Sequence, residues 1–340
     1  MIRQVHISVI LPVYNGGEFL AKAIQSVLNQ TYPHFEFIII NDGSTDDSDT
    51  IIKSFADERI VYVRQENKGL GATLNEGLLK AKGEFIARQD QDDISYPQRF
   101  ERQIGFLNKH PEILLTGTWA RILKNLQEEM GYHKHSCSSA LLHFDMLFDN
   151  PFVHSSVMFR KEAITKAGNY SNARDVYEDF DLWSRFLNYG KLANIPEVLL
   201  DYCHHLQGMS KSFHNFKEDA LSSQGYNNMK ILTGRDGKAY SDLTAVYHFK
   251  QNLYKGSALN DLHKAIDEIK DALLKLYPDE ATALLKRAVS YKKVIKFRLN
   301  VLKINNPNTG KLIKFISKLD NKLHPDHEFI NRSDENNLPL

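Results

Sequence analysis

Cysteine is scarce: two residues in a chain of 340 cannot form a disulfide framework, which sets the protein apart from small stapled secreted folds. No apolar run approaches the roughly 18 residues that a spanning helix needs. No signal sequence precedes the first apolar run at His6, so an intracellular enzyme is expected. Charge of one sign is also missing. The formal net charge is +1, which leaves no basic footprint for nucleic acid. No Gly-x-x-x-x-Gly-Lys-Ser/Thr run occurs, which argues against a P-loop ATPase. Repeats and low-complexity tracts are absent too. A chain this long can bury one large core and a smaller second unit.

What the chain does have is an alternation of short apolar runs and helical spacing. His6 to Pro12 and Phe35 to Ile40 are predicted strands, as are Ile60 to Val63 and Glu84 to Gln89. Helices are predicted between them over Glu18 to Asn29, around Ile51, Ile52 and Phe55, and over Ala72 to Ala81. Strands alternating with helices through short connections build a parallel, doubly wound sheet, whose ligands sit beyond the carboxyl ends of the strands. Tyr14, Asp42, Asn67 and the acids at 90–93 all fall at such ends.

Arg88-Gln89-Asp90-Gln91-Asp92-Asp93 holds three carboxylates in four positions. In an extended segment Asp90 and Asp92 share a side, and charges so close repel unless a cation intervenes. Hard oxygen ligands suit Mg²⁺ or Mn²⁺ bridging to substrate phosphates. A solvated acidic turn before Pro97 is the competing reading of the same residues.

The motifs taken together resemble the glycosyltransferases of family 2. Pro12-Val13-Tyr14-Asn15, Asn41-Asp42-Gly43-Ser44-Thr45-Asp46, Asn67-Lys68-Gly69 and the run from Ile86 to Ser95 are similar to its successive signatures. Asn150 to Arg160, Tyr177-Glu178-Asp179-Phe180-Asp181-Leu182-Trp183 and Ile195 to Tyr202 continue them in order, so the resemblance spans about residues 5 to 212. Bacterial members that build capsule, O-antigen and other surface polysaccharides look most similar. The resemblance implies that Tyr14 and Asp42 hold a uracil ring, that Asp90 lies near the ribose, and that Asp92 reaches the metal on the diphosphate. Pro12, Asn15, Asn67 and Arg88 complete the implied nucleotide-sugar set, with Arg88 either on phosphate or paired with the neighbouring acids. Asp179 matches the catalytic base; the helix dipole favouring an acid at a first turn is the structural alternative there. His205 matches a histidine near the metal or diphosphate, although Cys203 stands where the family has arginine, and His204 competes for the inward position.

Three other signals are weaker. Gly69-Leu70-Gly71-Ala72-Thr73-Leu74 mimics a dinucleotide fingerprint but ends in Leu. His133-x-His135-x-Cys137 lacks a second ligand pair for zinc, and an exposed loop is expected there. His154 either faces an acceptor pocket or is satisfied by backbone groups.

The sequence divides into a catalytic domain at 1–214, a helical extension at 215–323 and a polar tail at 324–340. Helices are predicted over Phe216 to Leu232, Leu243 to Tyr254, Asp261 to Leu276, Glu280 to Lys303 and Lys311 to Leu323. Residues 281–303 carry seven basic side chains and no acid, with a stripe of Leu284, Ala288, Tyr291, Ile295, Leu299 and Leu302. Two readings stand: the stripe lies on an anionic membrane surface, or it packs on the catalytic domain.

The expected fold is therefore α/β, a GT-A-type, Rossmann-like, mostly parallel sheet flanked by helices, with a helical C-terminal extension. The expected activity is inverting, Mn²⁺- or Mg²⁺-dependent transfer of a hexose or N-acetylhexosamine from a UDP-sugar to a glycan or lipid-linked glycan. One base, with no second nucleophilic carboxylate, implies inversion. The expected location is the cytoplasm, extending to the inner face of the plasma membrane if the basic helix binds lipid. A sugar-phosphate nucleotidyltransferase is a rival, but it needs a Gly-rich basic loop where residues 11–18 supply Pro, Tyr and Asn. A non-catalytic binding protein is another, yet Asp90, Asp92 and Asp179 are all present.

Overall fold

The computed structural model describes residues 6–172, 177–205, 214–250 and 252–303. They fall in two compact units, Met1–Tyr132 with Phe152–Gly208, and His133–Pro151 with Met209–Leu340.

The first unit is built on one sheet. Strand β1 (Ile7–Val13) is apolar on both faces and fully buried, as is β2 (Phe35–Asp42), the pattern of interior parallel strands. Helix α1 (Leu20–Leu28) follows a single 3₁₀ turn (Gly17–Phe19) and connects them. Helix α2 (Ser48–Lys53) leads to β3 (Ile60–Gln65), and α3 (Leu70–Lys80) to β4 (Phe85–Arg88). These four strands are parallel, in the order β3-β2-β1-β4. The chain steps outward from β1 to β3 and returns on the other side of β1, so the switch point lies between β1 and β4. Two buried polar side chains of this core pair with each other: Ser8 donates to Glu36 Oε1 at 2.6 Å, and Glu36 also accepts the Lys82 N–H.

Beyond β4 the sheet is mixed, where the sequence suggests a mostly parallel one. After β5 (Ile94–Ser95) and α4 (Arg99–Lys109) come the long β6 (Ile113–Lys124) and β7 (Glu128–His133), which pairs with it. Residues His154–Ser156 form a 3₁₀ turn that reverses the chain into β8 (Met158–Arg160). This three-residue strand lies antiparallel between β4 and β6. Past α6 (Glu162–Ala167) and α7 (Glu178–Phe186), β9 (Lys191–His204) runs parallel to β6 and antiparallel to β5.

The glycines of the apparent dinucleotide fingerprint serve the backbone turn at Gly69 and close packing at Gly71. Gly69 has φ of +86°, and a Cβ on Gly71 would sit 2.3 Å from the Ser171 carbonyl oxygen. That close approach lets the 170–172 loop lie on α3, where Asn75 holds the Tyr170 backbone from both sides.

The second unit is helical: α5 (Ser139–Asp145), α8 (His214–Thr233), α9 (Lys238–Tyr247), α10 (Leu259–Leu276) and α11 (Ala281–Lys303). Helix α9 starts and ends earlier than its expected span of Leu243 to Tyr254. Phe249 adopts φ of +55°, and Asp242 accepts the Lys255 and Ser257 N–H groups, which turns the following residues back. Segment 133–151, placed by sequence in the catalytic domain, packs with these helices: Phe144, Leu147 and Phe148 share a core with Ile266, Tyr291 and Ile295. Ser136 joins Asp145 and Arg287 in a buried network, with 2.7 and 2.8 Å bonds. The stripe on α11 is therefore spent inside this unit, since Leu284, Ala288, Tyr291, Ile295 and Leu299 are all buried there. That face is unavailable to a membrane. No helix among the described residues is long and apolar enough to cross one. The expected helix at 311–323 and the tail lie outside the described residues.

Candidate active site

The carboxyl ends of β2, β1 and β4 are neighbours, so Asp42, Tyr14 and Asp90 stand in a row. The Tyr14 ring is 50% exposed. Its loop is rigid because four successive N–H groups are donated to distant side chains. Tyr14 bonds Gln91 Oε1 (2.9 Å), Asn15 bonds Ser44 Oγ (3.0 Å), Gly16 bonds Ser48 Oγ (2.9 Å) and Gly17 bonds Asp46 Oδ2 (3.0 Å). Asn15 reciprocates by accepting the Thr45 N–H, so its side chain braces the 44–48 turn. Pro12 is buried within β1 and shapes the strand end without facing solvent.

Asp42 is buried and already in use. Oδ1 accepts from Gln65 Nε2 (2.7 Å) and Lys68 N (2.9 Å), and Oδ2 from Gly69 N (2.9 Å). A carboxylate offers about four acceptor directions, which leaves one for a ligand. The exposed Asn67 lies on the loop so held. Gly43 beneath it has φ of +76°, and a Cβ there would meet Asn67 N at 2.8 Å.

The acid loop is a hub. Gln89 spans it, donating to the carbonyls of Asp90 and Asp93. Asp92 Oδ2 accepts from His205 Nε2 at 2.8 Å, and the His205 ring rests on Phe19. That settles which histidine faces the loop: His204 ends β9, and His205 turns inward. Asp93 Oδ1 accepts the Cys203 N–H at 2.8 Å, which pins the end of β9 two residues before His205. Burial first, then the charges of Asp92 and Asp90, push the Asp93 carboxyl well above the usual carboxylate range. Cys203, where the family resemblance leads one to expect arginine, is buried, and burial pushes its thiol up to about 12.

Arg88 departs from a phosphate-contact role. Its side chain is 0% exposed. Nε donates to His154 Nε2 (3.1 Å), Nη1 to the carbonyls of Ile10 and Gln89, and Nη2 to Asp90 Oδ1. Burial pushes the Asp90 carboxyl up, but Arg88 and the groups around it more than offset that and leave it lowered. His154 is neither free toward a pocket nor held by backbone alone. Burial, then Arg88, push its imidazole down to about 3, so it is neutral and accepts. Tyr170 Oη lies 3.3 Å from His154. Burial above all, with the charges of Asp179 and Glu178 adding, raises the Tyr170 pKa. Asp179 is buried in the first turn of α7, and its Oδ1 accepts the Phe180 N–H. A polar chain thus runs from Asp90 through Arg88 and His154 to Tyr170, beside Asp179.

A divalent cation can be tested against these residues. Among them no three His, Cys, Asp or Glu side chains converge on one point. Asp92 and His205 do meet, however, and such cations take one or two protein ligands and complete their shell with substrate phosphates and water. The pair fits that requirement.

The family model described as glycosyl transferase family 2 matches residues 8–215. The chain belongs to glycosyltransferase family 2. This glycosyltransferase is 33% identical over 258 residues to the O-antigen biosynthesis glycosyltransferase WbnJ of Escherichia coli, covering 73% of the chain and 97% of WbnJ. It is 33% identical over 202 residues to the amylovoran biosynthesis glycosyltransferase AmsE of Erwinia amylovora, covering 57% of the chain and 74% of AmsE. In fold it is similar to S. aureus TarS 1-349, solved with UDP-GlcNAc, at a TM-score of 0.60 and 16% identity, over 87% of this chain and 92% of that one. The enzyme has the expected GT-A-like α/β sheet flanked by helices, with a helical C-terminal region.

Sequence reasoning missed Gln91 and Arg99. Arg99, fully buried in α4, donates to the backbone carbonyls of Ser155 and Arg88. Its signal was available: Arg99 and Gln103, spaced i, i+4, stand beside the Phe100, Ile104 and Leu107 stripe, so polar side chains enter the core there. Gln91 carried no comparable sign, because its partner is 77 residues away.

Proposed function

We propose that this glycosyltransferase transfers a hexose or N-acetylhexosamine from a UDP-sugar, with inversion and with a divalent cation, to a glycan acceptor in surface-polysaccharide biosynthesis. The observation that carries the reading is the row at the sheet switch point: an exposed Tyr14 ring, Asp42 with one acceptor direction left, and the Asp92–His205 pair. The UDP-GlcNAc in the TarS structure and the O-antigen and amylovoran pathways of WbnJ and AmsE are in keeping with it.

The roles follow from chemistry. Tyr14 stacks the base, a contact worth about 1–3 kcal/mol, and Asp42 accepts from the ring N–H. Asp90, held by Arg88, meets the ribose. Asp92 and His205 would hold Mn²⁺ or Mg²⁺, which when bound would supply Lewis-acid stabilisation of the leaving diphosphate. Asp179 accepts the proton of the acceptor hydroxyl as it attacks the anomeric carbon. A single base acting on an incoming oxygen gives inversion. The committed backbone amides of residues 14–17 weigh against a nucleotidyltransferase, which needs such groups for a triphosphate. We place the enzyme in the cytoplasm, where its two cysteines, Cys137 and Cys203, would stay reduced.

Calorimetric titration with UDP, GDP and dTDP in Mn²⁺ tests the donor class. UDP is expected to bind at least tenfold more tightly than the others. Equal affinity for all three would remove Tyr14 and Asp42 as uracil readers.

A further inference from the structure

We propose that Gln91 is a positioning residue that fixes the Tyr14 ring relative to the acid loop, and so sets the distance between base and diphosphate recognition. The inference rests on the nucleotide-binding role proposed for Tyr14. Gln91 reaches across from the acid loop and closes two bonds on one residue, accepting the Tyr14 N–H at 2.9 Å and donating to the Tyr14 carbonyl at 3.1 Å. A planar carboxamide gripping both backbone groups of a single residue holds that residue's backbone in place, and with it the position and direction of the bond from which its side chain leaves. The other side-chain acceptors for the N–H groups of residues 14–17 all lie between β2 and the start of α2: Ser44 and Asp46 on the turn, and Ser48 as the first residue of the helix. Gln91 is the member of that set that stands between Asp90 and Asp92.

The surroundings leave the clamp little slack. Gly16 lies directly under it, since a Cβ there would stand 3.2 Å from Gln91 Oε1. Asn15, between Tyr14 and Gly16, turns the chain with φ of +50°. On the other side the loop is fixed by Gln89, Asp93 and the Asp92–His205 contact. Gln91 therefore joins two rigid pieces, one bearing the base platform and one bearing the acids. Tyr14 is half exposed and its ring contributes little core packing, so the clamp serves the placement of the ring.

A residue that works through Tyr14 must fall silent once the Tyr14 ring is gone. The test is a double-mutant cycle on full-length protein, with UDP affinity measured by calorimetry in saturating Mn²⁺ and the urea midpoint of each variant recorded alongside. Gln91→Ala is expected to weaken UDP by about five- to tenfold, the worth of one or two net hydrogen bonds. Tyr14→Ala removes the stack and should weaken it by at least as much. In the Tyr14→Ala background, Gln91→Ala should cost less than about twofold more. Gln91→Met, which keeps the length but neither bond, should match Gln91→Ala and serves if that variant folds poorly. Unchanged UDP affinity in Gln91→Ala and Gln91→Met would overturn the proposal, as would a fully additive loss in the Tyr14→Ala background. If wild type prefers another nucleoside diphosphate, the uracil assignment falls while the cycle, run with that nucleotide, still judges Gln91. If wild type binds none, both fall.

Discussion

Replacing Arg88 with methionine should destabilise the catalytic unit far more than losing a substrate contact would. The guanidinium is fully buried and bonds His154, Asp90 and two main-chain carbonyls. Methionine fills much of the volume but strands those acceptors and leaves the Asp90 carboxylate without its counter-charge. Removing one partner of a buried ion pair costs about 3–5 kcal/mol. Asp90 is 32% exposed and can recover some hydration, so the lower end, about 3 kcal/mol, is expected. Both tryptophans, Trp119 and Trp183, belong to the catalytic unit, so tryptophan fluorescence in urea follows its unfolding. At a slope of about 2–3 kcal/mol per molar urea the midpoint should fall by about 1 M or more. His154 should respond as well: burial and the charge on Arg88 hold it near about 3, and without Arg88 its NMR titration should move upward. Arg88→Lys keeps the charge without the fork and should recover only part of the loss. A stability loss below about 1 kcal/mol with a large, salt-sensitive loss of UDP affinity would refute the reasoning and return Arg88 to the phosphates.

Two further perturbations discriminate among the remaining assignments. Asp179→Asn keeps the shape of the first turn of α7 but cannot take a proton, so turnover should fall by about 10²–10⁴ while calorimetric UDP affinity stays within about twofold. His143 in the helical unit is buried against Tyr277, and burial pushes its pKa down to about 4, against about 6.5 unfolded. Its stabilising contribution is whole above pH 6.5 and is lost as pH falls toward 4, at about 1.4 kcal/mol per pH unit, because only the unfolded chain takes up the proton there. The pH dependence of urea midpoints read by far-UV dichroism should flatten over that window in His143→Gln.

The parts of this protein that local pattern dictates were open to reading from sequence. The runs at Ile7–Val13, Phe35–Asp42 and Phe85–Arg88 are apolar enough to be interior parallel strands, with Ile60–Gln65 as the partly buried edge, and the ends of the first three place Tyr14, Asp42 and the acid loop. The ordered motifs then identified the family. What stayed hidden depends on distant pairing. The α11 stripe announces which face is buried but not that its partners include α5, more than 130 residues earlier. Arg88 beside three acids looks the same in sequence whether it faces phosphate or the core. Its burial follows from β4 lying between β1 and the short reversed β8. Helix α9 was misplaced because its end is set by a left-handed Phe249 and by the carboxylate of Asp242, neither of which leaves a periodic trace.

In the proposed reaction Asp92 and His205 hold a divalent cation for a UDP-sugar bound across Tyr14 and Asp42. This assignment is tested most directly by measuring UDP release from a panel of UDP-hexoses and UDP-N-acetylhexosamines. The purified protein should be assayed with Mn²⁺, after EDTA with Mn²⁺ restored, and as Asp92→Asn. UDP should be released from at least one member of the panel in Mn²⁺, with loss in EDTA, recovery on adding Mn²⁺ back, and a fall of at least about 10² in Asp92→Asn. Full activity in EDTA, or an Asp92→Asn variant as active as wild type, would contradict it.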